Sequence, residues 1–284
     1  MGIKLVACDL DGTLLNDNRI ITKRTLDAIK KIQDKGIKFV ICTGREQNSV
    51  KEIKKKYGLT CGAILMNGAC YMDENNQLDL FKPIPYEKVK EIIDTFDKVQ
   101  SDFTILTSEG IRSRHTYEEL IDNYIEHVME IGWASTYEQA KKEIEEDNFF
   151  IGAKKFESLK ELKDVNVLKI ENHQNYTMEI TLQAAKMVEK IEGISIVHYP
   201  GGNVEITALD AKKGNTLFEL SEKLHLSISE VMPFGDEDND YSMISRFPSS
   251  VAMKNGNERI KAVAGRISKY TNDEDGVARI LETL

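Results

Sequence analysis

Apolar residues recur along this chain in two rhythms. Short unbroken runs, IKLVAC at 3–8, IKFVIC at 37–42 and AILM at 63–66, lack the alternation of a half-exposed strand. They predict central parallel strands covered on both faces. Between them, 22–35 and 46–57 carry apolar positions at helical spacing, and Gly36 and Gly58 follow as stop signals. The same grammar returns late, with helix predicted over 213–224, strand over 231–234, helix over 238–245, strand over 249–252 and a closing helix over 274–283. The two ends of the chain therefore read as halves of one α/β sheet.

The middle follows different rules. Residues 86–99 and 117–131 predict amphipathic helices, and 103–107 with 111–114 predict a hairpin around Glu109-Gly110. Strands are predicted over 166–171, 194–199 and 203–207, and a helix over 182–192. Pro and Gly cluster in LFKPIP and again in HYPGGN, so an inserted α+β domain is expected at 83–197, with 1–82 plus 198–284 as the core. Tyr117, Tyr124 and Trp133 fall at helical spacings and read as core rather than ligand contacts. The lysine- and glutamate-rich runs at 51–56 and 141–146 read as solvated helix faces.

Composition narrows the partners. With 47 acidic against 38 basic residues the formal charge is −9, which argues against nucleic acid. No apolar run approaches the roughly 18 residues of a membrane helix, and the start lacks a signal-like h-region, so a cytoplasmic protein without a membrane partner is expected. Cys8, Cys42, Cys61 and Cys70 have no CxxC spacing and read as buried reduced thiols. The five histidines are scattered without ligand spacing. Oligomeric state is not readable.

Candidate chemistry gathers at predicted strand ends, where open α/β sheets bind their ligands. Asp9 and Asp11 close the first strand, and extended alternation would put both carboxylates on one side. Alone, such a pair is more often an Asx-turn or a helix cap after a strand. Thr43-Gly44-Arg45 follows the second strand just before a helix whose N-terminal amides favour an anion. Lys212-Lys213-Gly214 opens the late helix, and Gly235-Asp236-Glu237-Asp238-Asn239-Asp240 follows the strand VMPF with more acid than a cap requires. Counting an EF-hand loop from Asp236 puts Tyr241 and Phe247 where glycine and glutamate belong, and counting from Asp9 puts Leu14 and Ile20 there. A GxxxxGK[ST] loop and a strand-following GxGxxG are both missing, which removes the commonest nucleotide-binding loops.

Taken in order, DLDGTLL at 9–15, TGR at 43–45, NG at 67–68, KG at 213–214, GDEDND at 235–240, SVAMKNG at 250–256 and NDEDGVA at 272–278 resemble the haloacid dehalogenase-like phosphatases, in detail the Cof-type members. The resemblance implies a Rossmann-like parallel sheet core with an inserted C2-type α+β cap. It also implies a phosphatase of small phosphorylated molecules, such as sugar phosphates or phosphorylated cofactors, that works through an aspartyl-phosphate. On that pattern Asp9 is the nucleophile and Asp11 the general acid and base. Mg²⁺ sits on the Asp9 carboxylate, the Asp11 carbonyl and the Asp236 carboxylate, with Asp240 in support. Thr43, Gly44, Arg45, Lys213 and Asn239 face the phosphate, although Lys212 stands beside Lys213 and Arg45 could equally pair with a nearby acid. A phosphomutase and a non-catalytic phospho-ligand sensor are the alternatives.

Overall fold

A computed structural model describes residues 2–130, 132, 134–147, 150–172, 178–198 and 203–284. The chain opens with β1 (Leu5–Asp9), α1 (Lys23–Asp34), β2 (Lys38–Cys42), α2 (Gln47–Tyr57), β3 (Gly62–Leu65), β4 (Cys70–Met72) and β5 (Leu78–Asp79). The segment that follows contains α3 (Tyr86–Val99), β6 (Thr104–Thr107), β7 (Gly110–Ser113), α4 (Tyr117–Glu130), α5 (Tyr137–Asp147), β8 (Lys154–Lys155), β9 (Val167–Glu171), α6 (Met178–Val188), β10 (Ile194–His198) and β11 (Val204–Ala208). The last segment holds α7 (Lys213–Lys223), β12 (Val231–Gly235), α8 (Tyr241–Ile244), β13 (Val251–Ala252), α9 (Glu258–Lys261), β14 (Arg266–Ile267) and α10 (Gly276–Leu281).

First and last segments build one eight-stranded sheet in the order β14-β13-β12-β1-β2-β3-β4-β5. β1 lies between β12 and β2, parallel to both, with Leu5 opposite Val231 on one side and Lys38 on the other. Every residue of β1 is buried, which explains why its sequence runs apolar without alternation. Leu5, Ala7, Val40, Ile64 and Val231 pack in one cluster with Leu217, Leu220, Met243, Ile244 and Phe247. α1 turns Thr25, Ala28, Ile29 and Ile32 inward, and the Thr22 hydroxyl caps it by accepting from the Thr25 N–H. α2 ends on Gly58, whose φ of 64° is the left-handed conformation glycine adopts without a Cβ penalty. The expected α/β core is therefore present, although β4 and β5 run antiparallel at its edge.

The chain divides into two units, one formed by residues up to Leu80 together with Ala211–Leu284, the other Phe81–Asp210. The second unit contains a six-stranded sheet ordered β10-β11-β9-β6-β7-β8. Its return point lies later than the expected 197, because β11 pairs with β10 from Ile194 opposite Ala208 to His198 opposite Val204. Residues 199–202, within the stretch read as the exit, lie outside the described residues. α6 begins four residues earlier than expected, at Met178. Tyr117 and Tyr124 pack against Leu120, Ile125, Val128 and Phe150, as a core reading requires, whereas Trp133 lies outside the described residues. Among the described residues no helix is long and apolar enough to cross a membrane. All four cysteines are free and buried.

Candidate active site

Three strand ends supply the site. β1 stops at Asp9, and the chain reverses at once through a tight turn in which the Leu14 N–H donates to the Asp9 carbonyl (3.2 Å) and the Leu15 N–H to the Leu10 carbonyl (2.8 Å). Gly12 sits in this turn at φ +80°, and a Cβ there would lie 2.3 Å from Asp236 Oδ2. No other residue type fits that approach. β12 stops at Gly235 and delivers Asp236, while Lys213 begins α7.

The side chains meet in a buried cluster. Lys213, with no exposed side-chain surface, donates from Nζ to Asp9 Oδ1 and to Asp240 Oδ1, each at 2.6 Å. Asp240 Oδ2 accepts from the backbone N–H groups of Asp236 (2.9 Å) and Glu237 (3.2 Å), so both its oxygens are engaged. The Thr13 hydroxyl donates to Asp236 Oδ1 at 2.6 Å. Among the described residues, Asp9 Oδ2 and Asp236 Oδ2 are left for something else. Of the lysine pair, Lys213 reaches the cluster and Lys212 is exposed.

Carboxylate oxygens of Asp9, Asp236 and Asp240 lie within 4.8 Å of one another. At an effective dielectric of 20, two unit charges that far apart repel by about 3–4 kcal/mol, and one ammonium cannot offset three carboxylates. The ionisations respond accordingly. Burial, and then the Asp240 charge, hold the Asp9 carboxyl well above the usual carboxylate range. Burial pushes Asp236 up to about 7, against the Thr13 hydrogen bond that pulls it down, with Asp240 raising it further. For Lys213 burial alone would favour the neutral amine, but Asp240 and Asp9 more than reverse this and keep it charged. Excess negative charge on hard oxygen donors suits a divalent cation such as Mg²⁺, so the residues present fit the metal implied by the sequence. Asp240, saturated by Lys213 and two amides, acts as an orienting group.

Two expectations change at the rim. Asp11 lies in the turn beyond β1, so strand alternation does not govern it. Its carboxylate is exposed and accepts from both Arg45 Nε (2.9 Å) and Arg45 Nη2 (2.5 Å), a bidentate pair. The amides at the start of α2 are not an open anion site either. Glu46 takes them, accepting from the N–H groups of Asn48 (2.7 Å) and Ser49 (2.6 Å). Thr43 is buried with its hydroxyl accepting from the Arg45 N–H at 3.1 Å, and Gly44 lies between them in the bend after β2. Asn239 donates to Asn67 Oδ1 at 3.3 Å, and Asn67 itself sits at φ 57° in the turn after β3.

Sequence reasoning gave Thr13 no role, although it stands within the DGT motif. The supporting place expected for Asp240 agrees with a side chain that is fully buried and bonded to Lys213. Burial of Cys8 beside Asp9 pushes its thiol up, and Cys42 is pushed up likewise, so both stay protonated.

The arrangement has known counterparts. A family model described as haloacid dehalogenase-like hydrolase matches residues 6–281. The chain belongs to this family. It is 28% identical to the phosphatase YwpJ of Bacillus subtilis over 99% of this chain and 100% of that protein. It is 29% identical to the 5-amino-6-(5-phospho-D-ribitylamino)uracil phosphatase YcsE of the same organism, over 98% of this chain and 94% of that one. A solved haloacid dehalogenase-like hydrolase from B. subtilis superposes with a TM-score of 0.79 at 28% identity, covering 99% of this chain and 100% of the other. The family makes this chain a hydrolase, and its named relatives are phosphatases.

Proposed function

We propose that the chain is a Mg²⁺-dependent phosphatase that hydrolyses small phosphorylated metabolites through an aspartyl-phosphate on Asp9. The observation that carries this reading is the buried cluster of Asp9, Asp236, Asp240 and Lys213 beyond the carboxyl ends of β1 and β12, with one oxygen of Asp9 left over. Asp9 attacks phosphorus, so that a carboxylate–phosphorus bond forms while the bond to the leaving oxygen breaks. Asp11 gives its proton to the departing alkoxide and then removes one from the water that hydrolyses the acyl phosphate. Its exposed position on a turn suits a group that must meet both substrate and water.

Lys213 holds Asp9 in one orientation and opposes the burial and the Asp240 charge that resist its ionisation, while Asp240 in turn fixes Lys213. Thr43, Gly44, Arg45, Lys213 and Asn239 provide donors for the phosphate oxygens. Asp9, the Asp11 carbonyl and Asp236 would hold the cation, which when bound supplies neutralisation of the carboxylates and of the phosphate charge. Sugar phosphates and phosphorylated cofactors are the substrate class. Because relatives are named for a phosphoribitylamino-uracil, ribityl phosphates join that panel.

The test is turnover of p-nitrophenyl phosphate by the purified protein with Mg²⁺ and with EDTA, followed by a panel of phosphorylated metabolites ranked by kcat/KM. Activity that needs Mg²⁺ and vanishes in Asp9→Asn supports the reading. Equal turnover by Asp9→Asn refutes it.

A further inference from the structure

Two asparagines late in the chain grip the turn that carries Asp11 and Thr13. Asn255 Nδ2 donates to the Gly12 carbonyl at 2.8 Å, and Asn255 Oδ1 accepts from the Asn272 N–H at 3.1 Å. Asn272 Nδ2 donates to the Leu15 carbonyl (3.1 Å) and to Asp17 Oδ1 (2.9 Å). The segment that bears Asn255 is also bonded to the other strand end. The Met253 N–H donates to the Gly235 carbonyl and the Asn257 N–H to the Asp236 carbonyl, each at 3.0 Å. Residues 253–257 therefore tie the backbone of Asp236 to the backbone of Gly12.

We infer that Asn255 is a positioning residue, whose single amide fixes the Gly12 peptide so that Thr13 meets Asp236 and Asp11 is presented at the rim. Its bonds to the turn and to Asn272 involve neither Asp9 nor Asp236, so it acts through the turn. The tolerance it serves is small, because the Thr13 to Asp236 bond is 2.6 Å and Asp236 Oδ2 lies 2.3 Å from the position a Gly12 Cβ would take. A rotation of the Gly12–Thr13 peptide displaces the Thr13 backbone and with it the hydroxyl that meets Asp236. Both halves of the carboxamide are used, the NH₂ as donor to Gly12 and the oxygen as acceptor from Asn272. An aspartate of the same shape keeps the second contact and loses the first.

The catalytic part of this inference rests on the phosphatase reading, and its structural part does not. The experiment compares the full-length parent with Asn255→Asp and Asn255→Ala in two measurements. The first is backbone amide exchange at Leu14 and Leu15, whose N–H groups close the turn. Loss of one donor to a backbone carbonyl should speed that exchange about tenfold in both variants, with the exchange of β2 and β3 unchanged. The second is steady-state hydrolysis of p-nitrophenyl phosphate with Mg²⁺, in which kcat should fall about tenfold at a KM within twofold of the parent's. Unchanged exchange at Leu14 and Leu15 in Asn255→Asp overturns the inference whether or not the parent is active. So does an Asn255→Asp variant that matches the parent while Asn255→Ala does not, since the Asn272 contact would then be the one that matters. An active parent whose variants keep full kcat despite faster exchange overturns the catalytic role. A parent without turnover speaks against the phosphatase reading and the catalytic role together, and leaves the exchange result to decide the structural one.

Discussion

Replacing Lys213 by methionine would remove the ammonium that, alone among the described residues, bonds within the carboxylate cluster, while keeping the volume of the side chain. Asp9 and Asp240 would each lose a 2.6 Å charge-assisted bond in a buried site. Breaking a buried ion pair from one side costs roughly 3–5 kcal/mol, because the partner charge is left uncompensated. For a unit of this size that corresponds to a fall in melting temperature on the order of 10 °C. The loss has a pH signature. The Asp9 and Asp236 carboxyls already resist ionisation, so on acidification they take up protons and the repulsion falls. Thermal unfolding in EDTA should therefore show a large deficit at pH 7.5 and a much smaller one at pH 5. Asp240→Asn in the same chain should recover part of the deficit at pH 7.5, since the two changes share one network. A Lys213→Met protein that melts within about 2 °C of the parent, or a deficit that is equal at both pH values, would refute the electrostatic account of the cluster.

Asp236 offers a second test. Its carboxyl lies at about 7 in the folded, metal-free protein against an ordinary 3.8, so its contribution to stability is complete below about pH 4 and is lost as the pH rises toward 7. Mg²⁺ takes the ionised form, so calorimetry in buffers of different ionisation enthalpy should record proton release on binding at pH 5.5 and little at pH 8.5; absence of release at pH 5.5 contradicts the assignment. Gly12→Ala should abolish turnover and destabilise by more than about 1 kcal/mol, since φ +80° and a 2.3 Å approach to Asp236 both oppose a Cβ. Circular dichroism melts and pNPP assays would show it. Thr13→Val should weaken Mg²⁺ binding by about tenfold where Thr13→Ser does not, because only the hydroxyl reaches Asp236. Arg45→Ala should change stability by less than about 1 kcal/mol, its pair with Asp11 being at the surface, yet lower kcat/KM by at least tenfold if Arg45 serves the substrate.

Much of the core was legible because a doubly covered strand has no polar face to spare. IKLVAC and IKFVIC announce β1 and β2 for that reason, and the polar residues that follow each run had to lie at its carboxyl end. What eluded the sequence was pairing at long range. Nothing in DLDGT says that Thr13 bonds a carboxylate 223 residues away, or that Lys213 is shared between Asp9 and Asp240. Two-residue strands such as β5, β8 and β14 are too short for a period to register. β11 was assigned to the wrong side of the insertion because its partners, β10 and β9, cannot be read from its own residues. Glu46 was read as part of a helix, while its use of the first amides of α2, which removes an anion site, depends on a rotamer.

The position of the insertion shapes how the site comes into being. Asp9 belongs to the first strand of the core and Asp236 to a strand that returns only after the second unit, yet β1 and β12 are neighbours from Leu5 opposite Val231 to Cys8 opposite Phe234. A closed loop costs only about 0.6 kcal/mol more for each doubling of its length, so a folded unit can be carried between Leu80 and Ala211 without undoing this pairing. Parallel pairing between such distant segments carries a loop-closure cost that its contacts must outweigh. Until it forms, Asp9 and Asp236 lie on separate pieces of chain, and each is an ordinary carboxylate. The raised carboxyl ionisations, the buried ammonium and the capacity for a divalent cation are therefore properties of the β1–β12 seam rather than of either motif.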